Sequence, residues 1–599
     1  MKKIGSWFTI LMLLFSTSVV AQTTYFIDQQ NGQSSNNGTA YATAFASINT
    51  ATSLLLPGDT VVIIGVYKNP LYNPTYSYTT AHDSQLWHGE NSIRISHLHG
   101  TSAAYITIKA YDSSTLLQGD GANIFRVQNS SFLRIQGFEI AGEVPRIPIT
   151  TANALQFVYI NVDSVADSKA PMAADIQYRH LDCISNCTAG AVVDGEIYSS
   201  LANVNVARPS YIDTRGLYLS NVHHIDIIGN TIHDMPGGGL RVSDCEDITI
   251  QNNEVYACSR KSYSGTHALV VTKATSTRTT NDYRIVIANN TIHHNYNEQY
   301  SWAPTKTIIT PHIDEGKGIS LQRNETTYHN NGTFKVNWEH GRILVQNNIC
   351  YFNGFSGIHS NDGHRIDIIN NTCYFNSYTK SITQGIRSNN GGNIGISAQG
   401  GGDIAIFNNI SIIDSALSKS AISSNIPDSN GLVVENNLIF GTSLAGATGT
   451  INENANVVSL QLNTQKVDPL FVDPVNFDFS LQANSPAIDA AQSSIAPSED
   501  FFQNLRDNAP DIGAIEYLPL LPIQRLKMST ITIYPNPVDD VLYTNEQALT
   551  SKKITLCNML GQDFTAQMLI QDNQIQMSNV PRGQYILSVD TVSSILYKK

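Results

Sequence analysis

Cysteine is sparse in this 599-residue chain: seven residues, an odd number. That is too few to build a scaffold from disulfides, and at least one thiol must stand unpaired. Charged residues make up only 14% of the chain, but 41% are apolar, enough for a sizeable core, so low charge here does not mean disorder. The 36 Lys and Arg are outnumbered by 49 Asp and Glu, for a net charge of −13. This balance argues against nucleic acid and anionic membranes as partners, while leaving room for a local basic cleft. After residue 20 no apolar run is long enough to span a bilayer.

The two ends read as addresses. Met1-Lys2-Lys3, the apolar stretch Trp7 to Val20 and Ala21 follow the charged, apolar, small-residue plan of a secretory signal peptide over residues 1–21. At the far end, after a linker at 518–528, residues 529–599 read as short alternating strands of a small β-sandwich-like domain. Tyr534-Pro535-Asn536-Pro537, Asn558-Met559-Leu560-Gly561-Gln562, Pro581-Arg582-Gly583-Gln584-Tyr585 and the basic terminus Lys598-Lys599 punctuate it. This segment resembles the C-terminal sorting domain of the type IX secretion system of Bacteroidetes. The resemblance implies passage through periplasm and outer membrane to the surface or beyond, with the secretion machinery as partner.

Between the ends lies a repeat. Apolar alternation followed by two polar residues ending in Asn recurs with its last Asn at 230, 253, 290, 348, 371, 409 and 437. The gaps are 23, 37, 58, 23, 38 and 28, a base period of 23 with insertions. Three short strands per coil explain that period: one coil cannot bury its apolar face, whereas stacked coils bury a continuous column. The recurring Asn is expected to form an amide ladder, and Cys350 and Cys373, 23 apart, to stack as thiols. Cys183 and Cys187 could form a local bridge. Phe45 to Leu56 reads as an amphipathic helix capping the first coil, and residues 468–513 as a closing segment. The fold class is therefore all-β, a parallel β-helix over 22–517. These landmarks resemble the right-handed parallel β-helix proteins of the pectate-lyase-like superfamily.

The insertions point to a site. Aligning the inward residues Leu240, Leu269, Ile319, Ile358 and Ile396 shows extra residues leaving one turn and walling a groove suited to an extended polymer. Arg241 and His359 come one position after the inward residue, His267 and Lys317 two before, and Asp244, Lys273, Arg323 and Asp362 four after. Lys317 lies between Gly316 and Gly318, which allow close approach of backbone or ligand. Tyr296, Tyr300, Trp302 and His312 in the preceding insertion suit stacking on sugar rings. Each residue also has a plainer reading: a solvated lysine, a hydrogen-bonded histidine, or, for Asp244 and Asp362, a turn residue. His223-His224 and His293-His294, at the Asn turn, read as structural or solvent-facing.

Cations, a base and a phenol in a groove suit β-elimination on a uronic-acid polymer, alginate first, then pectate or a glycosaminoglycan. Lys317 or His267 would be the base, Arg323, Lys273 and Arg241 the carboxylate partners, and Tyr263 or His359 the proton donor. Calcium is an alternative neutraliser, with Asp244, Asp314, Glu315 and Asp362 as candidate ligands. Resemblance to β-helix alginate and pectate lyases implies the same class. The competing readings are a glycoside hydrolase drawing paired carboxylates from those four residues, and a non-catalytic carbohydrate-binding surface protein. The expectation is a monomer.

Overall fold

The structure is a computed structural model. It describes residues 22–70, 72–78, 91–154, 157–161, 176–180, 210–262, 266–298, 315–325, 329–330, 334–335, 338–376, 394–414, 420–426, 428–442 and 461–518. In the C-terminal unit it describes 533–534, 538–544, 549, 553–558, 562–571, 574–589 and 592–599. The chain divides into two compact units, Met1–Tyr517 and Leu518–Lys599.

The first unit is a parallel β-helix. One sheet runs from Thr24–Asp28 to Gln461–Leu462, and a ten-stranded sheet from Val66–Lys68 to Leu438–Thr442. Strands of successive coils pair in parallel, as in Leu217↔Leu240↔Leu269↔Ile319↔Ile358↔Ile396. These inward residues are all buried, in the predicted register. Several strands of the larger sheet are 14 residues long, such as Asn123–Gln136, Arg215–Ile228 and Ser356–Ile369. Each turns a corner by placing two residues at positive φ: Asn129 and Phe132, Asn221 and His224, Asp362 and Arg365. One continuous sheet thus supplies two faces of the coil.

The core is an aliphatic column of Ile, Leu and Val, with Cys350 and Cys373 paired in register as free buried thiols. Cys183 and Cys187 lie outside the described residues. The asparagine ladder forms as expected. The Asn348 side-chain amide donates to Ile287 O, Gln346 O and Asn371 Oδ1, while its Oδ1 accepts from the backbone and side chain of Asn290. A second ladder, Asn295–Asn353–Asn376, runs along the next turn. His293 stacks between Tyr256 and Tyr351, with centroids 5.0 and 4.7 Å away and planes 3° from parallel, which confirms a structural role.

The predicted capping helix shrinks to Ile48–Thr52. Only Ile48 and Ala51 reach the core, and the Thr-rich, Ser-ended segment lacks the propensity to extend it. The closing segment packs Phe471, Phe479, Ile512 and Ile515 over Ile349, Tyr374, Ile410 and Leu438. It is held by the first Asn of successive Asn-Asn pairs. Asn289 donates to Asp500 O, Asn347 to Glu499 O, Asn370 to Asp511 O, Asn408 to Gln492 O and Asn436 to Ala490 O. Arg506 is buried within it, 2.6 Å from Glu516 Oε2 and bonded to Asn347 Oδ1 and three carbonyls, Asp511 O, Gly513 O and Ala514 O.

The second unit has a four-stranded and a three-stranded antiparallel sheet around Leu542, Leu556, Ile575, Leu587 and Leu596. It is the β-sandwich-like domain the sequence predicts.

Candidate active site

Three outward columns run along the face that carries the predicted residues. Two positions ahead of the inward column stand Arg215, Gly238, His267, Lys317 and Ser356. One position after it, in register, stand Arg94, Arg126, Tyr218, Arg241, Val270, Ser320, His359 and Ser397. Farther on, Asp244, Lys273, Arg323 and Asp362 occupy the positive-φ corner, at 53, 55, 57 and 54°. These four are corner residues, the plainer reading for Asp244 and Asp362.

The structure brings His267, Glu315 and Lys317 together. Lys317 is 6% exposed and its Nζ lies 2.6 Å from Glu315 Oε2. His267, 3% exposed, places Nε2 at 3.3 Å from the same oxygen. Its Nδ1 accepts from the Lys317 backbone N–H at 3.4 Å, so the ring proton belongs on Nε2, towards Glu315. The Gln322 side-chain amide, 2.8 Å from that Nε2, bonds it only by presenting its oxygen. Both His267 nitrogens are therefore engaged. Lys317 also lies 4.7 Å over the Phe355 ring, which packs edge-on to His359.

Gly316, at φ 79°, does admit a close approach, but of the chain's own backbone: a Cβ there would lie 2.7 Å from Tyr296 Cα. Tyr296, expected to stack on sugar, is buried with the Arg260 guanidinium 3.8 Å from its ring centre.

His359, one of two candidate proton donors, needs revision. It is 3% exposed, and its Nδ1 lies 2.6 Å from Ser397 Oγ. Burial, reinforced by the Lys317 charge, pushes its pKa well below the usual range and keeps the ring neutral. Such a ring positions its neighbours rather than delivering a proton from an imidazolium.

Arg241 and Arg323 stand within electrostatic reach of each other, and Arg323 of Asp362, whose carboxyl is raised by burial and lowered by that guanidinium. Tyr263, Tyr300, Trp302, His312 and Asp314 lie outside the described residues, as do most of the wall-forming insertions. Among the described residues no three His, Cys, Asp or Glu side chains converge on a metal position. Asp244 and Asp362 stand three rungs apart, about 14 Å at the usual strand spacing, and Glu315 is tied to Lys317, so these carboxylates do not fit one calcium.

Sequence reasoning missed Arg94, Arg126, Arg215 and Tyr218. The signal was available in the Leu217 register, which places Arg215 in the Lys317 column, but the long insertion before residue 210 hid the preceding coil.

A family model described as a right handed beta helix region matches residues 183–345, and one described as a secretion system C-terminal sorting domain matches 532–599. Residues 532–599 therefore direct the chain to the cell surface or beyond. No helix among the described residues is long and apolar enough to cross a membrane. No curated protein matches the chain. Among solved structures, a pectate lyase is similar over 84% of this chain and 98% of its own, at 14% identity and a TM-score of 0.41. A rhamnogalacturonan lyase is similar over 84% and 97%, at 13% identity and a TM-score of 0.36. The A-module of a mannuronan C-5 epimerase from Azotobacter vinelandii is similar over 71% and 94%, at 12% identity and a TM-score of 0.33.

Proposed function

We propose that the chain is a secreted polysaccharide lyase that cleaves a uronic-acid polymer by β-elimination, alginate-like before pectate or a glycosaminoglycan. The observation that carries this reading is the pairing of buried Lys317 and His267 with the half-buried Glu315, on a face whose neighbouring column presents Arg241.

The reaction removes the proton on the carbon beside the carboxylate, breaks the bond to the neighbouring glycosidic oxygen, and leaves a double bond between the two carbons. Lys317 Nζ takes that proton while passing one of its own to its partner Glu315 Oε2, a carboxylate that His267 holds in place. Arg241 and Arg323 neutralise the substrate carboxylate as charge builds on it. Tyr263 is assigned the proton for the departing oxygen, because His359 is held neutral and buried.

Incubation of the purified chain with alginate, pectate and glycosaminoglycans, following the ultraviolet absorbance of the unsaturated end, tests the reading. A rise with one polymer is expected. New reducing ends without absorbance would replace it by hydrolysis; neither signal would leave only a binding role.

A further inference from the structure

Arg94, Arg126 and Arg241 occupy one column, and Arg215 enters the same face beside Tyr218. Three of these guanidiniums share the Tyr218 ring, at 3.9 Å for Arg126, 5.7 Å for Arg241 and 5.8 Å for Arg215. Arg126 is fixed by donating to Tyr218 O and Ser220 Oγ. None of the four has a carboxylate within ion-pair distance among the described residues, in a chain with an excess of 13 acidic groups. Their mutual repulsion is felt: burial and the neighbouring guanidiniums lower both Arg126 and Arg241. The Arg241 Nε is buried without a hydrogen-bond partner among the described residues.

Crowding like charges without counter-ions costs stability, so such a group marks a place where an external anion completes the structure. The aromatic ring pre-orders the guanidiniums by cation–π contact, and their planar forks suit carboxylates. At about 4.8 Å per coil, Arg241 lies about 10 Å along the axis from the Lys317 level, and Arg126 about 19 Å. The intervening strip is as long as several consecutive sugars.

We propose that Arg126, Arg215 and Arg241, gathered around Tyr218, and Arg94 one rung beyond Arg126 form an elongated subsite for the carboxylates of a polyuronate chain lying along the coil axis. It extends from Lys317 towards the N-terminal coils. This inference rests on the lyase reading for its choice of polymer, but not for the existence of an anion site. It makes the enzyme prefer long chains, whose sugars beyond the cleaved bond fill the arginine strip.

Calorimetric titration of the Lys317→Gln protein with a uronate hexamer, a uronate dimer, a neutral hexasaccharide and a sulfated one tests the proposal. The uronate hexamer is expected to bind at least tenfold more tightly than the dimer or the neutral sugar. Adding Arg126→Gln should weaken it about tenfold and flatten its salt dependence. Arg126 also braces Tyr218, so the exposed Arg94→Gln serves as the second variant, with melting temperature confirming the fold. Unchanged hexamer affinity in both folded variants would overturn the subsite, as would tighter binding of the sulfated sugar its assignment to carboxylates. Loss of arginine-dependent binding with unsaturated product still formed by wild type sinks only the subsite. Arginine-dependent binding without that product sinks only the lyase chemistry.

Discussion

Lys317 and Glu315 form an ion pair across a single glycine, Nζ to Oε2 at 2.6 Å, with His267 against the same carboxylate oxygen. The chain turns at Gly316 to bring them together. Lys317→Met should reduce cleavage by about 10²- to 10⁴-fold, the usual contribution of a positioned base. Glu315→Gln should lower kcat while KM for the polymer holds, because it touches the base and not the substrate. Steady-state rates on the best polymer check both; wild-type turnover in Lys317→Met removes Lys317 from the mechanism.

His359 carries a pH prediction. Its folded-state pKa lies well below the value of about 6.5 that the unfolded chain has, so below that pH the unfolded state binds a proton the folded state refuses. Stability should therefore fall as pH drops through 6.5. His359→Gln should flatten this slope. Urea midpoints at pH 7.5, 6.5 and 5.5 decide it; parallel slopes in the two proteins would show that His359 titrates normally.

The asparagine ladder predicts large, position-dependent losses. Asn348→Ala removes bonds to Ile287 O, Gln346 O and Asn371 and strips Asn290 of its acceptor, all but the Gln346 bond fully buried. At about 1–3 kcal/mol per buried group left unpaired, the loss should exceed that of an ordinary surface change severalfold. Denaturant titration compares it with Ser113→Ala, an exposed turn residue.

Arg506→Met should be similarly costly. It strands the buried Glu516 carboxylate and frees the Gly513 and Ala514 carbonyls. Breaking one side of such a pair typically costs about 3–5 kcal/mol. Arg506→Met combined with Glu516→Leu should recover part of the loss; scanning calorimetry of the three proteins reads it directly.

The fold was legible because one physical requirement, a shared apolar column, repeats itself in sequence. Once the Asn at 230, 253 and 290 are aligned, the inward residues and even the Cys350–Cys373 stack follow from counting. The site was legible only as a neighbourhood. Counting brought Lys317 beside His267, but it could not show that Glu315, considered as a metal ligand, pairs with Lys317, because residues before the strand follow no repeat. Nor could it show that His359 is buried, since outward positions are covered by insertions of irregular length. The two residues of each Asn-Asn pair looked alike in the text. One turns inward to the ladder and the other sits at positive φ facing the closing segment, a distinction made by backbone geometry.

Those outward asparagines have a thermodynamic consequence. Stacked repeats ordinarily come apart coil by coil, each contributing its own small transition. Here a single run of chain is fastened to five neighbouring rungs through Asn289, Asn347, Asn370, Asn408 and Asn436. Peeling any one rung away means releasing the splint from the others, so this half of the solenoid should melt as one block while the N-terminal rungs remain free to fray.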